Sequence, residues 1–216
     1  MYLSIDFHTH TSVSKDSLTS PRDFIRLAHR KKLDRLVVTD HNSIAGALAT
    51  HALDPERIIV GEEIMTTKGE ILAAFVTEEI PRGLLPLETI KRLRDQGAFI
   101  SVSHPFDSWR NGAWKLEDLL EITPLVDAIE IFNARCTNAA DNQKAAEFAF
   151  QQHLPGTAGS DAHAAFELGK ARLELPEFTG PEMLRKVISQ GIVRGGLSPF
   201  WVHFASFYAR WRKMAV

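Results

Sequence analysis

The segment "SIDFHTHTSVSKDS" sets two imidazoles, His8 and His10, two residues apart, with Asp6 before them and Asp16 shortly after. On an extended strand alternate side chains share a face. The spacing therefore predicts that Asp6, His8 and His10 point the same way. His8 and His10 would then bind one metal ion, and Asp6 would orient one ring from behind. A His-x-His pair alone specifies little, but here the pattern recurs. "RLVVTDHN" ends in Asp40 and His41, "IIVGEEI" carries Glu62 and Glu63 behind Gly61, "AFISVSHP" ends in His104, and "TAGSDAH" brings Asp161 and His163 two apart. "DAIEIFNAR" is a sixth segment of the same kind. Five of the nine histidines stand at strand ends in this reading. His29, His51, His153 and His203 fall on helix-like stretches and are assigned structural roles.

Such groups need elements that deliver them to one place. Strand-like runs ("YLSIDF", "LDRLVVT", "ERIIVGEEI", "EILAAFV", "AFISVSH", "DAIEIFN", "GTAGSD", "ARLELP") alternate with helix-like ones. Ser20 and Pro21 read as N-cap and first turn of "SPRDFIRLAHRKK", and Gly97 sits where "LETIKRLRDQG" would stop. "SIAGALATHAL", "LEDLLEI", "NAADNQKAAEFAFQQH" and "GPEMLRKVISQG" are the remaining helices. Alternation of this kind implies an α/β barrel or an open parallel sheet, folds whose active sites form at the carboxyl ends of the strands.

Composition narrows the function classes. Across 216 residues, 44% are apolar and the net charge is -2, enough for a large core and without a basic field for nucleic acid. A single cysteine, Cys136, excludes an internal disulfide. No apolar run approaches the roughly 20 residues of a membrane span, and no charged-and-apolar leader precedes the first strand, so a soluble cytoplasmic protein is expected. The tail "SPFWVHFASFYARWRKMAV" predicts an amphipathic helix starting at Ser198 and Pro199. Its stripe of Phe200, Phe204, Phe207 and Trp211 is read as docking on the barrel. The alternative is a basic interfacial helix, with Arg210, Arg212 and Lys213, on a membrane or a partner.

The ordered segments "DFHTHTSVSKD", "TDHN", "GEE", "SHPF", "IEIFNAR" and "GSDAH" resemble the motifs of the PHP (polymerase and histidinol phosphatase) superfamily. The chain from "ELGKARLEL" to "SPFWVHF" resembles the PHP-associated carboxy-terminal region. The resemblance covers nearly the whole chain. It implies a distorted β/α barrel, seven-stranded and TIM-like, with residues 1–216 as one PHP-type domain and 164–216 as the associated region. It also implies a metal-dependent phosphoesterase. His8, His10, Glu63 and Asp161 would hold one ion, Glu63 would bridge to a second held by His104, and Asp16, His41 and His163 would form a third site. Glu63 is preferred over Glu62 because the family pattern is Gly-x-Glu. The departure is Asn133, where some relatives have a histidine, so the choice between two and three ions stays open.

Mixed imidazole and carboxylate ligands suit Mn²⁺ or Zn²⁺, with Fe²⁺ a third option. The expected reaction is attack of a metal-activated water on a phosphomonoester of a small metabolite, nucleotide or short oligonucleotide end. Arg135 would contact phosphate, and Asp161 or His163 would move a proton. Cys136 is read as a packing residue. The alternatives are a catalytically weak metal-binding regulatory module, a histidinol-phosphatase-like enzyme, and an amidohydrolase, which the absence of a lysine at "GEE" disfavours.

Overall fold

The computed structural model describes residues 2–215. Its strands are β1 (Tyr2–Thr9), β2 (Arg35–Val38), β3 (Ile58–Met65), β4 (Glu70–Ala74), β5 (Phe99–Val102), β6 (Ala128–Asn133), β7 (Gly156–Gly159), β8 (Ala171–Pro176) and β9 (Ile192–Gly195). The helices are α1 (Pro21–Arg30), α2 (Ala45–His51), α3 (Pro86–Asp95), α4 (Leu116–Ile122), α5 (Ala139–Gln151), α6 (Gly180–Val187) and α7 (Val202–Met214). All nine strands form one sheet in the order β7-β6-β5-β4-β3-β2-β1-β8-β9. β1 to β7 make a near-closed ring, because the end of β1 meets the end of β7 through a parallel bridge between Thr9 and Ala162. The bonds Asp161 N–H to His8 O (2.7 Å) and His10 N–H to Ala162 O (3.0 Å) seal this seam. Gly159 permits the closure: a Cβ there would lie 2.3 Å from the His8 Cβ. The distorted TIM-like barrel with a C-terminal helix is therefore present, extended by β8 and β9 beyond β1.

Local chemistry explains most boundaries. Ser20 caps α1 by accepting from the Asp23 N–H (3.2 Å), with Pro21 at the first helical position. Asn138 caps α5 by accepting from Ala140 N–H (3.0 Å). Gly97 takes a left-handed φ of 75° just past α3. β4 runs antiparallel to both β3 and β5, a hairpin inserted in an otherwise mostly parallel ring. Phe7, Val37, Ile59, Ala74, Phe99 and Ala128, from β1 to β6, belong to one buried apolar cluster and floor the barrel. No helix among the described residues is long and apolar enough to cross a membrane.

Three expectations need correction. β9 has no strand-like signal in the sequence: it is a short edge strand, exposed at Ile192, Arg194 and Gly195 and partly buried at Val193. α7 begins at Val202 rather than at Ser198–Pro199. Its aromatic stripe does not dock. Val202, Ser206 and Ala209 face the barrel, while Phe200, Phe204, Phe207 and Trp211 are exposed. Small side chains let the helix axis come close, and Arg135 secures it by donating to Ser206 Oγ (2.9 Å) and Val202 O (3.2 Å).

Glu62, next to Glu63 but on the opposite face of β3, is fully buried. One carboxyl oxygen accepts from Ile80 N–H (3.0 Å) and the other has no partner. Burial pushes its pKa up to about 8. A carboxyl whose folded pKa lies above its unfolded value stabilises least when ionised, so its contribution falls as pH rises from about 5 to 8. Glu62→Gln is expected to be more stable than wild type at pH 8, by on the order of 1–3 kcal/mol. It should be no more stable near pH 4.5. Urea melts at the two pH values test this, and a pH-independent difference would refute it.

Candidate metal centre

The strand ends converge as the spacing requires. His8 Nε2 lies 3.2 Å from Glu63 Oε1 and 3.6 Å from Asp161 Oδ1, and His10 Nε2 lies 3.5 Å from Glu63 Oε2 and 3.2 Å from Asp161 Oδ1. All four side chains are fully buried. Among the described residues, His8 Nε2, His10 Nε2 and Asp161 Oδ1 have no hydrogen-bond partner, and Glu63 Oε2 makes no bond of hydrogen-bond geometry although His41 Nδ1 lies 2.8 Å away. Buried polar atoms without partners are rare and costly, and a cluster of them aimed at one point fits a cation. His104 Nε2 adds a second focus, 3.1 Å from Glu63 Oε1 and 3.5 Å from Glu70 Oε2. At a third focus, Asp16 Oδ1 lies 3.3 Å from His163 Nε2 and 3.6 Å from His41 Nε2, with the two ring nitrogens 3.4 Å apart. Four triads among these residues have ligand-type atoms close enough to hold one ion. Every candidate ligand from the sequence is thus in one place: His8, His10, Asp16, His41, Glu63, His104, Asp161 and His163.

The backbone holds two of them in an unusual way. Asp161 has φ 52° and His104 φ 21°, both positive in non-glycine residues, a strain that clusters at functional sites. Asp40 is not a ligand here. It accepts from the N–H and hydroxyl groups of Thr11 and Ser14, and so fixes the 11–14 turn. Ser14 Oγ in turn touches His10 Nδ1 (3.2 Å).

Asp6 does not do what was expected. The register of β1 against β2 shifts between Asp6 and Thr9, so strict alternation fails there. Asp6 accepts from Ser160 N–H (2.8 Å), Ser160 Oγ (2.5 Å) and Gly169 N–H (2.8 Å), tying down the 160–169 segment. The carboxylate that orients His8 is Glu130 on β6, 3.0 Å from His8 Nδ1. Its other oxygen accepts from His104 N–H (2.8 Å) and Asn133 Nδ2 (3.1 Å). Asn133 also donates from Nδ2 to Asp161 Oδ2 (3.2 Å), and its Oδ1 accepts from Arg135 N–H (2.8 Å). The amide that departs from the family pattern braces two carboxylates.

The electrostatics are those of a site built for cations. Burial alone would lower the His8 pKa, but Glu63, Asp161 and Glu130 outweigh it and push it up. His41 and His163 are likewise raised against burial, His41 chiefly by Glu63 and His163 chiefly by Asp16. His10 goes down, from burial and then from His163 and His41. Burial opposes ionisation of Glu63 and Asp161, yet His8 and His41 hold Glu63 low and Arg110 and His8 hold Asp161 low. Glu70 is raised, by burial and then by Glu63.

A cleft of about 480 Å³ opens onto this cluster, walled in part by Asp16, Glu70, Arg110, Arg135, His203 and Arg210. Arg110, missed in the sequence, bonds Asp107 Oδ2 from Nε (3.0 Å) and pairs with Asp161. His203, assigned a structural role, instead lines the cleft. Arg135 also lines it, but is 4% exposed, with Nε 3.1 Å from Glu167 Oε2 and Nη2 committed to α7. Cys136 is buried beside it, and burial pushes its thiol up, which suits the packing role.

The barrel, its open end and its imidazole–carboxylate cluster define a β/α-barrel protein with a candidate metal centre at its strand ends. Residues 139–192 match the PHP-associated family profile, overlapping the expected region 164–216 over 164–192. The uncharacterized protein MJ0417 of Methanocaldococcus jannaschii is 35% identical over 178 residues, covering 81% of this chain and 71% of that one. A two-domain protein of Bacteroides vulgatus, described as containing a predicted PHP-like metal-dependent phosphoesterase, superposes with TM-score 0.73 at 17% identity, over 97% of this chain and 70% of that one. The lesion-specific endonuclease PfuEndoQ of Pyrococcus furiosus superposes with TM-score 0.62 at 17% identity, over 88% and 56% of the two chains. The chain belongs to one family with MJ0417, carries the PHP-associated match in residues 139–192, and shares the fold of the protein described as PHP-like.

Proposed function

We propose that this protein is a metal-dependent phosphoesterase that hydrolyses a phosphomonoester. The substrate would be a small metabolite, a nucleotide or the end of a short oligonucleotide. The observation that carries the reading is the set of buried atoms without hydrogen-bond partners on His8, His10, Glu63 and Asp161, which lie behind His41 and His163, themselves in the wall of a cleft that also carries arginines. The description of the Bacteroides vulgatus relative as a phosphoesterase supports the same chemistry.

His8, His10, Glu63 and Asp161 would hold one divalent ion, Glu63, His104 and Glu70 a second, and Asp16, His41 and His163 a third. Mn²⁺ or Zn²⁺ suits these donors best. Bound there, the ions supply charge to neutralise the phosphoryl group and lower the pKa of water. The chain's own groups do the rest. Glu130 and Asn133 fix the orientation of His8 and Asp161. Arg110, whose Nε and Nη1 hold Asp107 and Asp161, would offer Nη2 to a phosphate oxygen, and Arg135, whose Nε faces Glu167 and whose Nη2 holds α7, would have Nη1 to offer. His163 or Asp161 would move a proton, in competition with ligation. The regulatory-module reading rested on Asn133 as a missing ligand. Glu70 beside His104 supplies an acidic donor at that same focus.

The test is phosphate release after Mn²⁺ or Zn²⁺ loading, on a nucleoside monophosphate, a nucleoside bisphosphate, a short oligonucleotide, histidinol phosphate and an aryl phosphate. Wild type should release phosphate from at least one, and Asp161→Ala should abolish it. Stoichiometric bound metal with no release from any substrate would overturn the reading.

A further inference from the structure

α7 is amphipathic in an inverted sense. Its docked face is small and partly polar, through Val202, Ser206 and Ala209, while its outer face is Phe204, Phe207, Trp211 and Met214, continued by Phe200 in the turn before it. These five side chains are between 57% and 80% exposed. With Trp201 and Tyr208, also more than half exposed, they leave on the order of 700–1,100 Å² of largely aromatic surface in solvent, taking ~150–250 Å² for each large side chain. The largest apolar patch on a typical monomer is about 300–600 Å². One side of a standard interface is about 800 Å².

We infer that this face of α7 is the contact surface between two copies of the chain, forming a twofold dimer. Area is the first reason. Charge is the second. A lipid surface would call for cations around the aromatic face, but Arg210 donates to Asp16 Oδ2 (2.8 Å) and Lys213 donates to the carbonyls of Ser12 (2.5 Å) and Ser14 (2.6 Å). Of the three Lys and Arg residues of α7, Lys213 and Arg210 bond the barrel, Arg210 with its side chain 59% exposed, and Arg212 lies at the margin. The outer face itself carries no charge, so it is complementary to itself, as a twofold contact requires. Its residue types, Phe, Trp and Met, are those enriched in buried interface centres. The pairing is independent of the proposed activity, although Phe200, His203 and Arg210 also line the cleft and so place the contact beside its mouth.

Sedimentation equilibrium across a protein concentration series tests this. Wild type should run at twice the chain mass. Phe204→Asp/Phe207→Asp should run as a monomer, its dissociation constant raised at least about 100-fold, with unchanged circular dichroism and metal content. Should that variant fold poorly, Phe207→Ala and Trp211→Ala should each weaken the dimer in a graded way. Leu120→Asp, at an exposed position on α4, controls for added charge and should leave the dimer intact. A wild type that stays monomeric at about 100 μM overturns the inference, as does a dimer that survives the double aspartate variant. Monomeric wild type that sediments with anionic phospholipid vesicles would assign the face to lipid instead.

Discussion

Glu63→Gln is expected to lower phosphate release by on the order of 10²–10³-fold and to reduce bound metal by more than one equivalent. Among the described residues, Glu63 is the one carboxylate in contact with four imidazoles. Oε1 faces His8 (3.2 Å) and His104 (3.1 Å), while Oε2 faces His10 (3.5 Å) and His41 (2.8 Å). Glutamine keeps the shape and can still accept from Ser103 Oγ, which now donates to Glu63 Oε1 (2.7 Å). It removes the negative charge and turns an N–H₂ group toward ring nitrogens that need an acceptor or a cation. Lewis-acid stabilisation of a phosphoryl group is worth several kcal/mol, and each 1.36 kcal/mol is about tenfold in rate. Glu70→Gln is the graded comparison. Glu70 contacts only His104 (3.5 Å) among the imidazoles, so its loss should cost about tenfold and at most one equivalent of metal. Metal analysis and kcat/KM on the same preparations decide the matter. Equal effects of the two variants, or full activity in Glu63→Gln, would remove Glu63 from its bridging role.

Which residues were visible in the sequence follows from strand direction. A parallel strand presents its last residues to the catalytic face, so His10, His41, His104, Asp161 and His163 could be found by looking where apolar runs end. β4 is antiparallel to both neighbours and presents its first residue instead. Glu70 therefore stood at the start of "EILAAFV", where no strand-end rule looks. Glu130 lies inside β6, two residues past its start, and reaches His8 only because the ring curls round to bring the two strands together. No periodicity within "DAIEIFN" carries that. Arg110 comes from the loop between β5 and α4, where sequence pattern says little about side-chain direction.

α7 shows a different limit. Helical spacing revealed an aromatic stripe, and burial by area favours large apolar groups. The docked stripe is the quieter one, Val202, Ser206 and Ala209, because Arg135 at the end of β6 needs a hydroxyl and a carbonyl at close range. The buried cation decided the orientation of the helix. Asp6 failed for a local reason: a shift of register in β1 broke the alternation on which its role was inferred.

The same cluster is expected to make stability depend on metal. Saturating a chelator-treated sample with Mn²⁺ or Zn²⁺ is expected to raise Tm by about 8–16 °C. In the absence of a cation, His8 Nε2, His10 Nε2, Asp16 Oδ1, Glu63 Oε2 and Asp161 Oδ1 are buried without hydrogen-bond partners, and each such atom costs about 1–3 kcal/mol. A ligand at 1,000 times its Kd adds about 4 kcal/mol through one site. For a chain of this size 1 kcal/mol moves Tm by about 2–4 °C. The increment should shrink below neutral pH. The carboxylates outweigh burial to raise His8, His41 and His163, so protons compete with an incoming ion for these rings more strongly than they would at free imidazoles. Affinity therefore falls as pH falls. Thermal melts at pH 6 and pH 8, with metal content measured alongside, test both statements. An unchanged Tm in a sample that has demonstrably taken up metal would mean that the ion binds away from the buried cluster, since filling that cluster must stabilise the fold that forms it.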